Sequence, residues 1–336
     1  MLDKIFLDSI KQLFIKKKYL EVISRVEENY DLNDRPPGLS NLCAISKILK
    51  PNITKDDIIS ALNDFEHCYR KSDINPLKVE ALCNYITACV KNSQKYIEIT
   101  KYFKKAKEMY QECEKEIGYN EKLFMHGVDL FKYSLDHKKN RKLLKELINN
   151  NTKSKIIACA YSYMSNYTYD WNQKDYFEYS KKFKDFFPKY ITKNTDEINY
   201  EKNKKIKIGF VSKDFAANHS ITYFLKDTLK HLNQSKFETY GVSLSDDIFL
   251  KGSSLELKNN FDKWLNFTNL KNEEIINELQ SHRIEILIDF MGLYHADRIE
   301  IFNSRVSPLQ ISWLGYPNTV GFPTIDYLVT DKNLIK

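Results

Sequence analysis

The hydrophobic period of the chain changes near residue 200, and this change calls for two unlike halves. Before it, apolar side chains recur at three- and four-residue steps. In "DDIISALNDFEHCYRK" (56–71), Ile58, Ile59, Leu62, Phe65 and Cys68 fall on one helical face. "EALCNYITACV" (80–90) and "YIEITKYFKKAKEMY" (96–110) follow the same rule. After it, short apolar runs alternate with helical patterns. Glycine marks the same boundary: Gly38, Gly118 and Gly127 precede residue 200, and the other six of the nine glycines follow it.

The helices of the first half come in pairs. First members are expected to start near residues 38, 77 and 120, and second members near 55, 97 and 138. A step of about 40 residues is that of stacked helix-hairpin repeats such as tetratricopeptide or HEAT arrays. One such pair cannot bury its apolar face alone and must stack on the next. No strict repeat consensus is visible, so a plain helical bundle is the alternative. "YITKNTDEINYEKNKK" (190–205) is polar and aperiodic and reads as a linker.

In the second half, "IKIGFVS" (206–212), "FETYGVSL" (237–244), "IEILIDF" (284–290), "LQISWLG" (309–315) and "YLVTD" (327–331) read as strands. The third is nearly continuous in apolar residues, as a strand of a buried parallel sheet is. "ITYFLKDTLKHL" (221–232) and "NEEIINELQSHR" (272–283) read as helices; the latter has acids in its first turn and a basic end. Strands alternating with helices give βαβ units and a doubly wound sheet. The expected organisation is α plus α/β: a tetratricopeptide-like helical-repeat region over 1–155, a helical connector and linker over 156–200, and a Rossmann-like parallel-sheet domain over 201–336.

Several function classes find no support. The 52 Lys and Arg against 45 Asp and Glu leave a net charge of +7, and the lysines have carboxylates nearby. That is a solvated surface rather than a nucleic-acid patch. Cys43, Cys68, Cys83, Cys89, Cys113 and Cys159 form no CxxC pair and no zinc spacing. Thiols scattered through helices fit a reducing compartment. The N-terminal "MLDKIFLDSIKQLF" carries acids early and does not read as a signal peptide. No stretch approaches the roughly 20 apolar residues of a membrane helix. The expectation is a cytoplasmic protein with no membrane and no nucleic-acid partner. There is no GxGxxG, Walker loop, DxD pair or GxSxG elbow.

Three loops leave the carboxyl ends of the expected strands, where open parallel sheets bind ligands. The first is "KDFAANHS" (213–220). Here Ser220 is the expected cap of the next helix, which places His219 at the helix's positive end. A histidine kept neutral there serves as a hydrogen-bond partner or a general base; the alternative is a loop histidine bonded to backbone. In "GLYHADR" (292–298), Gly292 suits a tight exit from the sheet. His295 and Arg298 face a polar substrate, or Arg298 pairs with Asp297 or Glu300. In "GYPNTVG" (315–321), Gly315, Pro317 and Gly321 fix backbone turns, and Tyr316 and Thr319 offer hydroxyls. The alternative there is a rigid turn without a ligand.

"IGFVSKDFAANHSITYFL", "FETYGVSLSDD", "IEILIDFMGLYHADR" and "SPLQISWLGYPNTVGFPTIDYLVTD" occur in that order. Together they resemble the first half of the catalytic region of the protein O-GlcNAc transferase and SPINDLY-type glycosyltransferase family. The resemblance covers about residues 157–336 and takes in "YSYMSNYTYDWNQKDYFEYSKKF" (161–183), similar to the helical stretch before that region. It implies a two-domain GT-B enzyme with helical repeats upstream. Such an enzyme inverts at the sugar carbon, needs no metal, and moves GlcNAc or a related sugar from a nucleotide-sugar, UDP-GlcNAc above all, to Ser or Thr of a protein held along the repeats. No cofactor beyond the donor is implied. His219 matches the family's histidine in its "NH" motif, proposed as a base or a donor contact. Gly315, Tyr316, Pro317, Thr319 and Gly321 match the glycine-rich turn near donor and acceptor. Gly292 and Arg298 complete the expected substrate-binding set.

The chain departs from the family at Ser220 (usually Pro), Tyr294 (usually Thr) and Asn318 (usually Gly), and "DKWLNFT" (262–268) lacks a histidine motif. The family's nucleotide sits mainly on a second Rossmann-like domain, and the sequence stops at Lys336. The resemblance therefore implies a partial reading of a longer enzyme, a second half on a separate chain, or lost activity. The alternative function is a helical-repeat interaction scaffold with a non-catalytic remnant half-domain.

Overall fold

A computed structural model describes residues 2–150, 153–166, 172–192, 204–215 and 219–332. The chain divides into two compact units, Met1–Thr152 and Lys153–Lys336.

The first unit is helical. Its elements are α1 (Leu2–Ile15), α2 (Tyr19–Asn29), α3 (Pro37–Leu49), α4 (Lys55–Lys71), α5 (Asn75–Ser93), α6 (Tyr102–Ile117), α7 (Glu121–Tyr133) and α8 (His137–Asn149). The pairs α3/α4, α5/α6 and α7/α8 start close to the expected positions, and α1/α2 forms a further pair ahead of them. First helices of successive pairs pack on each other, α3 on α5 and α5 on α7. This is the stacking that repeat hairpins require.

Local chemistry sets the helix ends. Thr54 accepts the Asp57 N–H at 3.2 Å while Asp57 accepts the Thr54 N–H at 2.9 Å, a reciprocal cap that starts α4. Pro37 opens α3, where its missing N–H costs nothing. Asn120 caps α7 by accepting the Leu123 N–H at 2.9 Å.

A buried ionic cluster crosses this unit. Asp64 of α4 accepts from Arg35 Nη1 at 2.6 Å and from Lys47 Nζ of α3 at 2.6 Å. All three side chains are at most 6% exposed. Lys47 also pairs with Glu27 of α2 at 2.7 Å. One carboxylate thus holds two cations away from water and joins α3, α4 and the segment before α3.

The second unit opens with α9 (Lys155–Ser165) and α10 (Gln173–Ser180). There follow β1 (Ile206–Ser212), α11 (Ser220–His231), β2 (Phe237–Ser243), α12 (Ser253–Asn259), β3 (Lys263–Asn266), α13 (Asn272–Ser281), β4 (Ile286–Asp289), β5 (Leu309–Trp313) and β6 (Tyr327–Val329). The sheet order is β3-β2-β1-β4-β5-β6, and every pairing is parallel. Phe210 of β1 lies between Gly241 of β2 and Ile288 of β4. It packs with Phe215, Phe261, Phe290, Leu225 and Leu229 in one apolar cluster under α11.

The five expected strands are present, most of them shorter by one to three residues. β3 and α12 were not expected. β3 is four residues of mixed polarity at the sheet edge, and α12 is a helix of seven residues, too short to display a period. The linker reading of 190–205 falls mostly on 193–203, which lie outside the described residues. No helix among the described residues is long and apolar enough to cross a membrane.

Removing the shared anion should leave Arg35 buried without a counter-ion and Lys47 with Glu27 alone. Asp64→Ala is expected to lower the stability of the helical unit by about 3–5 kcal/mol. Urea unfolding followed by helical circular dichroism measures it; a loss below 1 kcal/mol would show that the cations find water instead.

Candidate active site

The sheet order reverses between β1 and β4. From β1 the chain moves toward β2 and β3; from β4 it moves toward β5 and β6. Connections leaving in opposite directions open a crevice at the carboxyl ends of these two strands. The loops after β1 and β4 border it, and the loop after β5 lies next to them. Residues 216–218 of the first loop lie outside the described residues.

The β4 loop is held from beneath. Asp289 ends β4 and is 1% exposed. Its carboxylate accepts the N–H groups of Met291 at 2.8 Å and Gly292 at 3.0 Å. Burial pushes the carboxyl up to about 6, against the pull of the two N–H bonds. Gly292 then turns with φ +54°, and a Cβ there would lie 2.1 Å from Tyr316 Cβ. The expected tight exit is real, and its reason is the neighbouring tyrosine.

The first two loops are joined by side chains. His295 Nε2 lies 2.9 Å from Asp214 Oδ2, and Lys213 Nζ lies 2.6 Å from Asp297 Oδ2.

The third loop packs against α9 and α10. Tyr316 is 2% exposed. Tyr176 Oη of α10 lies 2.6 Å from Tyr316 Oη, 2.9 Å from the Thr319 carbonyl oxygen and 3.1 Å from Ser162 Oγ. A carbonyl only accepts, so the Tyr176 hydroxyl donates to Thr319, and Tyr316 donates to Tyr176. Burial pushes the Tyr176 phenol up to about 12 and that of Tyr316 well above its ordinary value. Gly321 has φ +75°, and a Cβ there would meet the Ser180 carbonyl oxygen at 1.9 Å. Gly315 lies equally close to the Phe290 carbonyl, at 1.7 Å from its would-be Cβ. Asn166, at the end of α9, accepts from Asn318 at 2.5 Å and donates to Tyr294 Oη at 3.4 Å. The two unusual residues of these loops are thus tied to one amide.

Three expectations need correction. First, the cap of α11 is His219, not Ser220: His219 Nδ1 accepts the Ile221 N–H at 3.4 Å, and Ser220 is the first helical residue. An acceptor Nδ1 leaves the ring proton on Nε2, so the exposed face of neutral His219 is a donor. Second, the Tyr316 hydroxyl is buried among protein groups and is not offered to a ligand. Third, Arg298 neither faces the crevice freely nor pairs with Asp297 or Glu300. Its guanidinium donates to the carbonyls of Thr268 at 3.0 Å and Leu270 at 2.9 Å and to Asn272 Oδ1 at 2.8 Å. It fixes the connection between β3 and α13.

Pro317 and Thr319 are exposed at the turn, where Thr319 Oγ1 accepts the Gly321 N–H at 3.1 Å. Asp214, Asp289 and Tyr176 were missed as site-building residues. An acid closing an apolar strand was the signal for Asp289; Tyr176 is 140 residues from its partner and gave none. Among the described residues no group of three His, Cys, Asp or Glu is placed to hold a metal ion.

The second unit is thus a Rossmann-like parallel-sheet domain with a crevice at its switch point, and helical hairpins precede it in the chain. Residues 187–334 match the model of glycosyl transferase family 41. A probable UDP-N-acetylglucosamine–peptide N-acetylglucosaminyltransferase SPINDLY of Oryza sativa subsp. japonica is 28% identical over 158 residues, covering 46% of this chain and 16% of the relative. The UDP-N-acetylglucosamine–peptide N-acetylglucosaminyltransferase of Caenorhabditis elegans is 28% identical over 141 residues, or 41% and 12% of the two chains. The chain thus matches about one sixth or less of these relatives' length. An O-GlcNAc transferase mutant of Thermobaculum terrenum shares the fold, with a TM-score of 0.56 and 16% identity over 82% of this chain and 51% of that one.

Two outcomes follow for the loop supports. The folded chain binds the Asp289 proton more tightly than the unfolded chain does. The group's favourable contribution is complete below pH 3.8 and lost as pH rises through about 6. Across that window, wild-type stability should fall relative to Asp289→Asn by about 3 kcal/mol; parallel urea-unfolding curves for the two proteins would contradict this. Tyr176→Phe strips the Thr319 carbonyl and the Tyr316 hydroxyl of their partner and is expected to cost about 1–3 kcal/mol in the same assay.

Proposed function

We propose that this chain supplies one half of a protein O-glycosyltransferase site, moving GlcNAc or a related sugar from UDP-GlcNAc to a Ser or Thr hydroxyl with inversion and without a metal. The observation that carries the reading is a coincidence: the family match over 187–334 ends up around the switch-point crevice. The organisation that goes with it is a helical-repeat region over 1–155, a connector over 156–200 and a catalytic half-domain over 201–336, acting in the cytoplasm. The helical repeats hold the acceptor protein, and a second Rossmann-like half holds most of the nucleotide.

In such a transfer the hydroxyl attacks the anomeric carbon as the bond to the diphosphate oxygen breaks. The crevice offers the departing charge two things. One is the positive end of α11, whose dipole meets the charge even though the Ile221 and Thr222 N–H groups are taken by His219. The other is the His219 Nε2–H, pre-set as a donor by its cap. Lys213, held by Asp297, adds a cation at the same edge. His219 is therefore a donor contact rather than the base, and Thr319, Pro317, Gly315 and Gly321 shape the turn that meets donor or acceptor.

Calorimetric titration with UDP and then UDP-GlcNAc tests the reading. Saturable binding, weakened about tenfold or more in His219→Ala, is the expected result. An intact protein that binds neither UDP nor UDP-GlcNAc would overturn it in favour of a helical scaffold.

A further inference from the structure

Inverting transfer needs a group to take the acceptor's proton, and the geometry of His219 makes it a donor. The same crevice holds a second histidine with the opposite presentation. His295 Nε2 faces Asp214 Oδ2 at 2.9 Å. A carboxylate only accepts, so Nε2 carries the proton, and in the neutral ring the lone pair sits on Nδ1. Among the described residues Nδ1 has no partner. Both histidines hold their proton on Nε2, yet His219 turns Nε2 outward and His295 turns it inward.

We infer that His295 is the catalytic base of the crevice and Asp214 the residue that positions it. The inference rests on the glycosyl-transfer reading above. Asp214 follows β1 and His295 follows β4, the two strands that flank the reversal of sheet order. The side chains are 24% and 22% exposed, so the pair is sheltered but open to a ligand. Loop stitching alone does not require it, since Lys213 and Asp297 already join the same two loops.

The charged and titratable surroundings suit the role. From its own loop the nearest groups are Asp297, neutralised by Lys213, and Arg298, turned away to residues 268–272. Beneath lies Asp289, whose carboxyl feels the charge of His295. α9 packs on residues 292–294 and brings Cys159, with a thiol pushed by burial up to about 12, and Lys155, paired with Glu300. From the first loop comes Asp214 itself, whose negative charge stabilises the imidazolium as it forms.

The step balances as follows. The hydroxyl oxygen forms its bond to the anomeric carbon, and the bond from that carbon to the diphosphate oxygen breaks. The electron pair leaves with the nucleoside diphosphate, and the hydroxyl proton goes to His295 Nδ1. The imidazolium later returns this proton to water.

The test uses the intact protein, UDP-GlcNAc and a Ser/Thr peptide. His295→Ala should lower kcat by about 10²–10⁴-fold with the donor KM nearly unchanged, and added imidazole should restore part of the rate. Asp214→Asn should lower kcat and displace the acidic limb of the pH profile. Should His295→Ala fail to fold, His295→Gln keeps the bond to Asp214 but accepts no proton, and must show the same loss. Long-range proton–nitrogen spectra should find Nε2 protonated and Nδ1 bare in neutral His295. Wild-type kcat in a folded His295 variant overturns the inference alone, as does a neutral ring protonated at Nδ1. A wild type that neither binds nor transfers the sugar nucleotide overturns the functional reading, and the base with it.

Discussion

Parallel strands cannot be joined by tight turns, so every connection in the second unit must climb back over the sheet. Those leaving β1 and β4 go opposite ways, so among the described residues no chain connection crosses between their carboxyl ends. The crevice is thus a result of chain topology before any side chain is considered. What the side chains add is support: Asp289 from below, α9 and α10 from beside, and the close backbone approaches at Gly292, Gly315 and Gly321. The exposed atoms at the crevice are few because most polar groups around it are engaged in holding loops.

That engagement decides the chemistry of the two histidines. Neither ring is free to choose its tautomer. A backbone N–H fixes one and a carboxylate fixes the other. Both partners act on a nitrogen that does not face a ligand, so each sets the character of the nitrogen that does. The same logic turns Tyr316 and Arg298 toward the protein: a buried phenol and a guanidinium with three oxygen partners are engaged in holding loops.

Much of the fold was legible in the sequence because period and burial go together. The hairpin starts of the first unit and five of the six strands of the second follow from where Ile, Leu, Val and Phe recur. β3 was not legible, since "KWLN" offers only Trp264 and Leu265, one to each face, too few to display a period. The positions of the three loops followed from the strands. The roles of His219, Tyr316 and Arg298 did not, because each depends on a partner chosen in three dimensions. Ser220 has the better side chain for a cap, yet the chain turns one residue earlier and the imidazole takes the role. Tyr176 and Asn166 were invisible for a further reason: both reach the site from helices more than a hundred residues away in sequence.

The two side-chain pairs that join the first and second loops run in crossed order. Lys213 meets Asp297, and its neighbour Asp214 meets His295. Were the first loop to slide one step one way, Asp214 would come to face Asp297; one step the other way, Lys213 would face His295. The first slip sets like charges together at once, and the second does so once the imidazole is charged. The pairs therefore act as a key as well as a clasp: they admit one alignment of the loops and penalise its neighbours, so that the crevice edge is set by sign as well as by shape.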